Sequence, residues 1–556
     1  MKRLAYIFFA AAIFLAGAVS LADTRSDKAD INKNLSIFTS LYKQLQTSYV
    51  DTIDANKTMR IAIDAMLYSI DPYTEYIPKE EQEEFMTIST GEFGGIGAYI
   101  SERSKGNVII DTPQDGTPAF RVGLKAGDRI IMIDGDSVVG LSSDKVRNKL
   151  RGQAGTTVSV TVDRPYVQDS ILTFEIKREK IDVNPVPYFG LVADGVGYIG
   201  LTTFNEKSYK KVREALESLK NQHNISSLIL DLRGNGGGLM ESAVQIVGIF
   251  VDKGTEVLTT RGKGEMNEKV YKTTVKPVDT KIPLIVLIDE SSASSSEIVT
   301  GALQDLDRAV IVGNRSFGKG LVQSTRQLPY DGLLKVTISK YYIPSGRLIQ
   351  AIDYSDRKED GSVHRIPDSL TNVFYTKNHR EVRDGGGITP DVAVKYPAPS
   401  KLTTKLVRDN WVYDYSVFFA SKHDSIADPE NFTINDSIYN DFKKFVDRKK
   451  LNYDKDCEIL IDRLEKAANA EGYMNSEVQA SIDSLKLLLH HDIDKDFDLS
   501  RKGVSFYLKS EIMTRMCGSD GAIKFSVKDD AAIDTAIAVF STPQRYLNIL
   551  EPKKNK

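Results

Sequence analysis

Cysteine is nearly absent from this chain: Cys457 and Cys517 are the only two in 556 residues. They have no metal-ligand spacing, and they fit a disulfide in an oxidising compartment as well as two separate buried thiols. An excess of either charge is missing too. With 73 Lys and Arg against 76 Asp and Glu the net charge is −3, which gives no electrostatic ground for a nucleic-acid partner. After residue 22 no apolar run is long enough to cross a membrane. Histidine is scarce, and none lies between His223 and His364, so a nucleophile in that interval needs a base other than imidazole. What is there, 41% hydrophobic and 27% charged residues, is the composition of a globular chain long enough for three or four domains.

Residues 1–22 carry the pattern of an export signal. Lys2 and Arg3 precede an apolar run from Leu4 to Val19, and Ser20, Leu21 and Ala22 supply small residues where cleavage would fall. The run is shorter than the roughly 20 residues a spanning helix needs, and no cysteine follows to accept a lipid. The chain is therefore expected to act outside the cytoplasm, in the periplasm or cell envelope. Residues 23–88 read as a helical region. Leu35, Phe38, Tyr42, Leu45 and Tyr49 recur at helical spacing, as do Met59, Ile63, Met66 and Ile70, until Asp71-Pro72 stops the second helix. Two packed helices without chemistry are the expectation.

From about 166 to 398 strands and helices alternate, which implies a sheet covered by helices. Val196 to Phe204, Leu228 to Leu232, Leu284 to Ile288, Ala309 to Val312 and Val336 to Tyr342 read as strands. Glu206 to Asn221, Glu241 to Val251 and Glu297 to Leu306 read as helices, the first with Val212, Ala215, Leu216 and Leu219 on one stripe. Residues 399–556 are charged and helical by pattern, for example Ile459, Leu460, Leu464 and Ala467. Packing, self-association or adaptor docking is the expected work of that region, and His490-His491 reads as a surface pair rather than a metal site.

Chemistry concentrates between residues 284 and 323. The apolar run Leu284 to Ile288 ends in a cluster of serines at 291, 292, 294, 295 and 296, and a helix follows at once. A serine there sits beside the free N–H groups of a helix N-terminus, where it could attack a carbonyl while the amides hold the oxyanion. Spacing alone does not choose among the five. The available base is Lys319, flanked by Gly318 and Gly320, with Phe317 as apolar cover. Lysine can serve only when neutral, and burial can bring its pKa down from roughly 10.4 by several units. Gln323, four residues on, falls on the same side and could orient the amine without adding charge.

The segments Ser292 to Ile298, Gly313 to Gln323 and Leu230 to Gly238 resemble the carboxyl-terminal processing peptidases, the tail-specific serine proteases that use a Ser/Lys dyad. The resemblance covers about residues 35–395, including Lys340 to Arg347 and Gly387 to Asp391. It implies Ser294 as nucleophile, Lys319 as base and Gln323 as its orienting partner. Ser295 stands where alanine is commoner, a position that contributes a backbone N–H to the oxyanion hole together with Gly237 or Gly238; the sequence leaves open which glycine donates. The implied fold is multidomain α/β: a crotonase-like α/β spiral core, a PDZ domain, and helical regions at both ends. No metal or other cofactor is needed.

The PDZ resemblance lies in residues 89–165. Gly95-Ile96-Gly97-Ala98 can point successive N–H groups at a C-terminal carboxylate while the next strand edge pairs with the peptide. Ser143 to Leu150 would be the flanking helix, with Val146 and Leu150 facing the groove. Two nucleotide motifs fail on inspection. Leu239 occupies the last glycine position of Gly-x-Gly-x-x-Gly after Gly234, and Gly320 replaces the hydroxyl residue that would complete a P-loop beginning at Gly313. The expected function is an exported endopeptidase acting on proteins with exposed C-termini. The alternatives are an inactive PDZ adaptor on a crotonase-like scaffold and, further off, thioester hydration or acyl transfer.

Overall fold

The computed structural model describes residues 28–551, leaving aside 105, 265–266, 358–361, 397, 448–450, 452–455 and 490–491. The export signal and His490-His491 lie outside the described residues. The chain divides into two compact units: Met1–Tyr76 with Thr325–Val336, and Ile77–Ser324 with Thr337–Lys556.

The first unit holds two helices, α1 (28–48) and α2 (Ala55–Tyr68). Asp54 caps α2 by accepting the Lys57 N–H, and Asp71 accepts the N–H groups of Tyr73 and Thr74, which shapes the turn around Pro72. The apolar stripes expected to pack are mostly on the surface instead: Leu35, Phe38, Tyr49, Met66 and Ile70 are all exposed. Two helices alone cannot bury both faces.

The second unit begins with a twisted antiparallel sheet. Its strands are β1 (Glu92–Gly95), β2 (Ala98–Ser104), β3 (Asn107–Pro113), β4 (Arg129–Ile133), β5 (Thr157–Asp163), β6 (Ile171–Lys177) and β7 (Glu179–Asp182), with helix α3 (Ser143–Leu150) between β4 and β5. The order is β2-β3-β4-β5-β6, and β1 pairs separately with β7. β2 is an edge strand lying beside α3. Alternate residues Val158, Val160 and Val162 of β5 join Ile110, Ile130 and Ile176 in a closed core. The module thus runs past the boundary expected at 165. The stretch after Pro165 is the turn of a β5–β6 hairpin, whose second strand was counted with the following region.

The larger core sheet has the order β8-β9-β10-β11-β12-β13, formed by Tyr188–Ala193, Val196–Gly200, Ser227–Asp231, Leu284–Ile288, Val310–Gly313 and Val392–Ala393. From β9 onward all neighbours are parallel. Helices α4 (Ser208–His223), α5 (Met240–Phe250) and α6 (Ser295–Asp305) connect them. Parallel strands buried on both faces explain the unbroken apolar runs. Leu228, Leu230, Leu284 and Val286 face these helices, whereas Ile229, Ile285, Leu287, Val310 and Val312 face the other way. That second face is covered by Val527, Ala532, Ile533, Ala536 and Val539, mostly on α7 (Ala531–Phe540) near the C-terminus. The C-terminal helices therefore complete the core sheet in addition to packing among themselves. Cys457 and Cys517 are both free thiols, so no disulfide joins them.

Candidate active site

Strand β11 ends at Ile288, and the chain turns through Asp289 to Ser294 before α6 begins. Asp289 accepts the N–H groups of Ser291 and Ser292, which folds the turn tightly. Ser294 occupies the N-cap with φ 55° and ψ −114°. This region is sparsely populated for a residue with a side chain, and it persists only where the surroundings over-determine it. A serine forced into such a strand-to-helix turn presents its hydroxyl outward.

The turn also separates the five serines. The Ser292 hydroxyl donates to the Leu232 carbonyl (2.8 Å), that of Ser295 to the Gly238 carbonyl (2.8 Å), and that of Ser296 to the Asn235 carbonyl (2.7 Å). All three are buried, whereas Ser291 is exposed. Ser294 is half-buried, and its hydroxyl donates to no acceptor among the described residues. Ser294, the serine that the resemblance singles out, combines partial burial with a hydroxyl that donates to no acceptor among the described residues.

Glu297, one turn into α6, is fully buried and receives four donors. Its Oε1 accepts from the Ser316 hydroxyl (2.5 Å) and the Gly318 N–H (2.7 Å). Its Oε2 accepts from the N–H groups of Ser294 and Lys319, each at 2.9 Å. The main-chain nitrogens of Ser294 and Lys319 therefore lie within two hydrogen-bond lengths of each other. Burial pushes the Glu297 pKa up, while the Ser316 hydroxyl and the three N–H groups pull it back. Behind it, the buried Tyr341 hydroxyl donates to the carbonyls of Lys319 (2.8 Å) and Ser294 (3.3 Å). Burial, then the Glu297 charge, holds that phenol far above its ordinary pKa. Neither Glu297 nor Tyr341 was singled out from sequence. The Ser-x-x-Glu spacing of a capping box was the available signal for Glu297; Tyr341 had none.

Lys319 is half-buried on the segment leading from β12 to β14 (Leu321–Gln327). Gly318 has φ 93°, and a Cβ there would sit 2.3 Å from the Ala351 Cβ, so the close approach expected of this glycine is required. Phe317 is exposed rather than a buried cover. Because strand leads to strand here, with no helix, the partial P-loop pattern has no phosphate-binding geometry. Gln323 lies on β14, and its Nε2 donates to Thr337 Oγ1 (3.1 Å), which leaves Oε1 as the end able to face an amine.

The glycine turn 234–238 packs directly on the Ser294 turn. A Cβ on Gly237 would come within 2.8 Å of both the Ala293 carbonyl oxygen and the Ser294 Cβ. Its N–H is already donated to Asn235 Oδ1 (2.9 Å). The N–H groups of Gly238 and Ser295 have no acceptor among the described residues. In the other module, the N–H groups of Ile96 and Gly97 are likewise without acceptors there, Gly95 pairs with Glu179, and Ala98 opens edge strand β2. Val146 and Leu150 are 0% and 5% exposed, enclosed with Ile96 in the module's core. They lie on the helix beside edge strand β2, where the groove is expected.

The chain is similar to known proteins along most of its length. The profile of peptidase family S41 matches residues 195–356, a PDZ domain profile matches 94–178, and the C-terminal helical domain of PDZ-proteases matches 402–540. A carboxy-terminal-processing protease of Bartonella bacilliformis is 33% identical over 402 residues, covering 71% of this chain and 83% of that protein. The chain belongs to the carboxy-terminal-processing protease family. It is a serine protease with a PDZ domain, as the resemblance implied. A CtpA-like serine protease of Staphylococcus aureus is 34% identical over 329 residues, which cover 58% of this chain and 64% of that one. Among solved structures, the photosystem II D1 C-terminal processing protease is 27% identical with a TM-score of 0.36, covering 68% of this chain and 96% of its own.

Proposed function

We propose that the enzyme is an exported endopeptidase whose nucleophile is Ser294 and whose base is Lys319. The neutral Lys319 amine takes the proton from the Ser294 hydroxyl as its oxygen bonds to the scissile carbonyl carbon. The oxyanion that forms lies against the N–H groups of Ser295 and Gly238. Gly237 drops out of the oxyanion role because its N–H is held by Asn235. When the C–N bond breaks, the leaving amine receives the proton from Lys319, and water then releases the acyl group. The Gln323 carbonyl end holds the amine in place. A substrate's C-terminal carboxylate is captured by the N–H groups of Ile96 and Gly97, with its chain added to the edge of β2.

The observation that carries this reading is the strained Ser294 turn, whose hydroxyl donates to no acceptor among the described residues and whose main chain is tied to Lys319 through one oxygen of Glu297. The test is digestion of an unstructured protein bearing an apolar C-terminus. Ser294→Ala and Lys319→Ala are each expected to lower kcat at least about 10³-fold. Labelling of Ser294 by a serine-reactive probe separates a working enzyme from a PDZ adaptor, and undiminished cleavage by both variants would refute the assignment.

Two further parts of the reading concern location and assembly. The pattern of residues 1–22 supports export, and among the described residues no helix is long and apolar enough to cross a membrane. The mass of the mature protein tests signal removal. Exposed apolar residues on α1 and α2, and on the C-terminal helical residues 456–489, support self-association or adaptor docking. Light scattering of full-length and α1-deleted enzyme tests self-association.

A further inference from the structure

Two buried groups grip Ser294 and Lys319 from opposite sides of the main chain. Glu297 Oε2 takes both N–H groups, and the Tyr341 hydroxyl reaches both carbonyls. An ordinary helix cap would need only the bond to Ser294. The three further donors to Glu297, from Ser316, Gly318 and Lys319, belong to a different segment, the one that follows β12, and add nothing to the cap.

We propose that Glu297 and Tyr341 are positioning residues for the reaction, a two-sided clamp that fixes the spacing of the Ser294 and Lys319 peptide groups. This rests on the assignment of nucleophile and base given above. The physical need is plain. A lysine side chain has four rotatable methylene links, so the reach of its amine is set only if its main chain is immobile. Ser294 in turn holds a conformation that its own preferences disfavour. Fixing each residue separately would leave their separation to the rest of the fold. A shared oxygen on one side and a shared hydroxyl on the other fix the separation itself, and a displacement of about 1 Å between reacting groups can lower a rate some hundredfold. The Ser294 carbonyl also accepts the Ile298 N–H (2.9 Å), so loss of the Tyr341 hydroxyl does not strip that group bare.

Tyr341→Phe and Glu297→Gln in the full chain test the clamp, beside Ser294→Ala. Cleavage of a tailed peptide gives kcat and KM, a serine-reactive probe gives the labelling rate against pH, and thermal melting reports folding. Tyr341→Phe is expected to fold, keep KM within about twofold, and lose about tenfold or more in kcat, with a displaced pH profile for labelling. Glu297→Gln, which sets an amide N–H₂ against N–H donors, is expected to lose more. If it does not fold, Tyr341→Phe decides alone. Wild-type kcat and an unmoved labelling profile in the folded variants, with Ser294→Ala dead, overturn the clamp and leave the dyad standing. Cleavage retained by Ser294→Ala overturns the dyad, and the clamp with it.

Discussion

Two glycine loops in this protein, proposed above to receive negative charge, leave main-chain N–H groups without acceptors among the described residues, and they are built differently. The loop at 234–238 is fastened on every side. The Gly234 N–H donates to Asp289 (3.0 Å), Asn235 Nδ2 donates to the Leu201 carbonyl (2.8 Å), and the Gly237 carbonyl accepts the Phe204 N–H (3.1 Å). Between its two strands, at Ile96 and Gly97, the loop at 95–98 is fastened by its carbonyls only. Ile96 accepts the Ala119 N–H (2.8 Å), and Gly97 accepts the Gln114 N–H (2.9 Å) and the Thr117 hydroxyl (2.8 Å). Stabilising a charge that exists for one step requires donors already in place, because reorganisation would raise the barrier. Gripping a chain end requires only free donors beside an open strand edge, and the ligand supplies the rest.

The contrast breaks most visibly at Gly237. With φ 105° and no room for a Cβ beside Ser294, Gly237→Ala is expected to shift the nucleophile turn and lower kcat roughly 10²-fold, with KM nearly unchanged. In the other loop, Gly97 has φ 76° and its Cβ would lie 2.3 Å from the Thr117 side chain. Gly97→Ala is expected to raise KM for a tailed substrate about tenfold while kcat for an untailed peptide holds. If both substitutions acted on the same kinetic constant, the division of labour drawn here would be wrong.

A smaller effect concerns how the fastened loop is anchored. Arg233, next to Gly234, pairs with Asp231 (2.6 Å) and with Asp530 (2.7 Å), and Asp530 also caps α7 by accepting the Ala532 and Ile533 N–H groups. Asp530→Ala is expected to lose about 1–2 kcal/mol of stability in denaturant melts, with tail affinity unaffected.

The smallest effect is on pH. Burial holds Glu297 above its ordinary value, so the folded chain binds that proton more tightly than the unfolded one. Its contribution to stability is full below about pH 4.3, the unfolded value, and is lost as pH rises through the raised one. The melting-temperature difference between wild type and Glu297→Gln should therefore shrink or change sign with rising pH; a difference flat from pH 4 to 8 would show no such shift.

Most of the core was legible because its signals are local. Leu284 to Ile288 was read as a strand from its apolar run, and the helix after Ser294 from its small polar start, and both stand to within a residue or two. The N-terminal stripes misled, since periodicity shows which face is apolar and not whether anything covers it. The hairpin after Pro165 was missed because its second strand was counted with the alternating strands and helices that follow.

The sequence by itself determined the order of the modules, the strand-to-helix turn at Ser294 and the glycine loops, because turn chemistry and hydrophobic spacing act between near neighbours. The tertiary structure alone decided that Ser292, Ser295 and Ser296 donate their hydroxyls to buried carbonyls and that Gly237 donates its N–H to Asn235. It also decided that residues 527–539 close the second face of the core sheet. Those outcomes depend on hydrogen bonds and burial between segments far apart in the chain, and a local pattern carries no record of them.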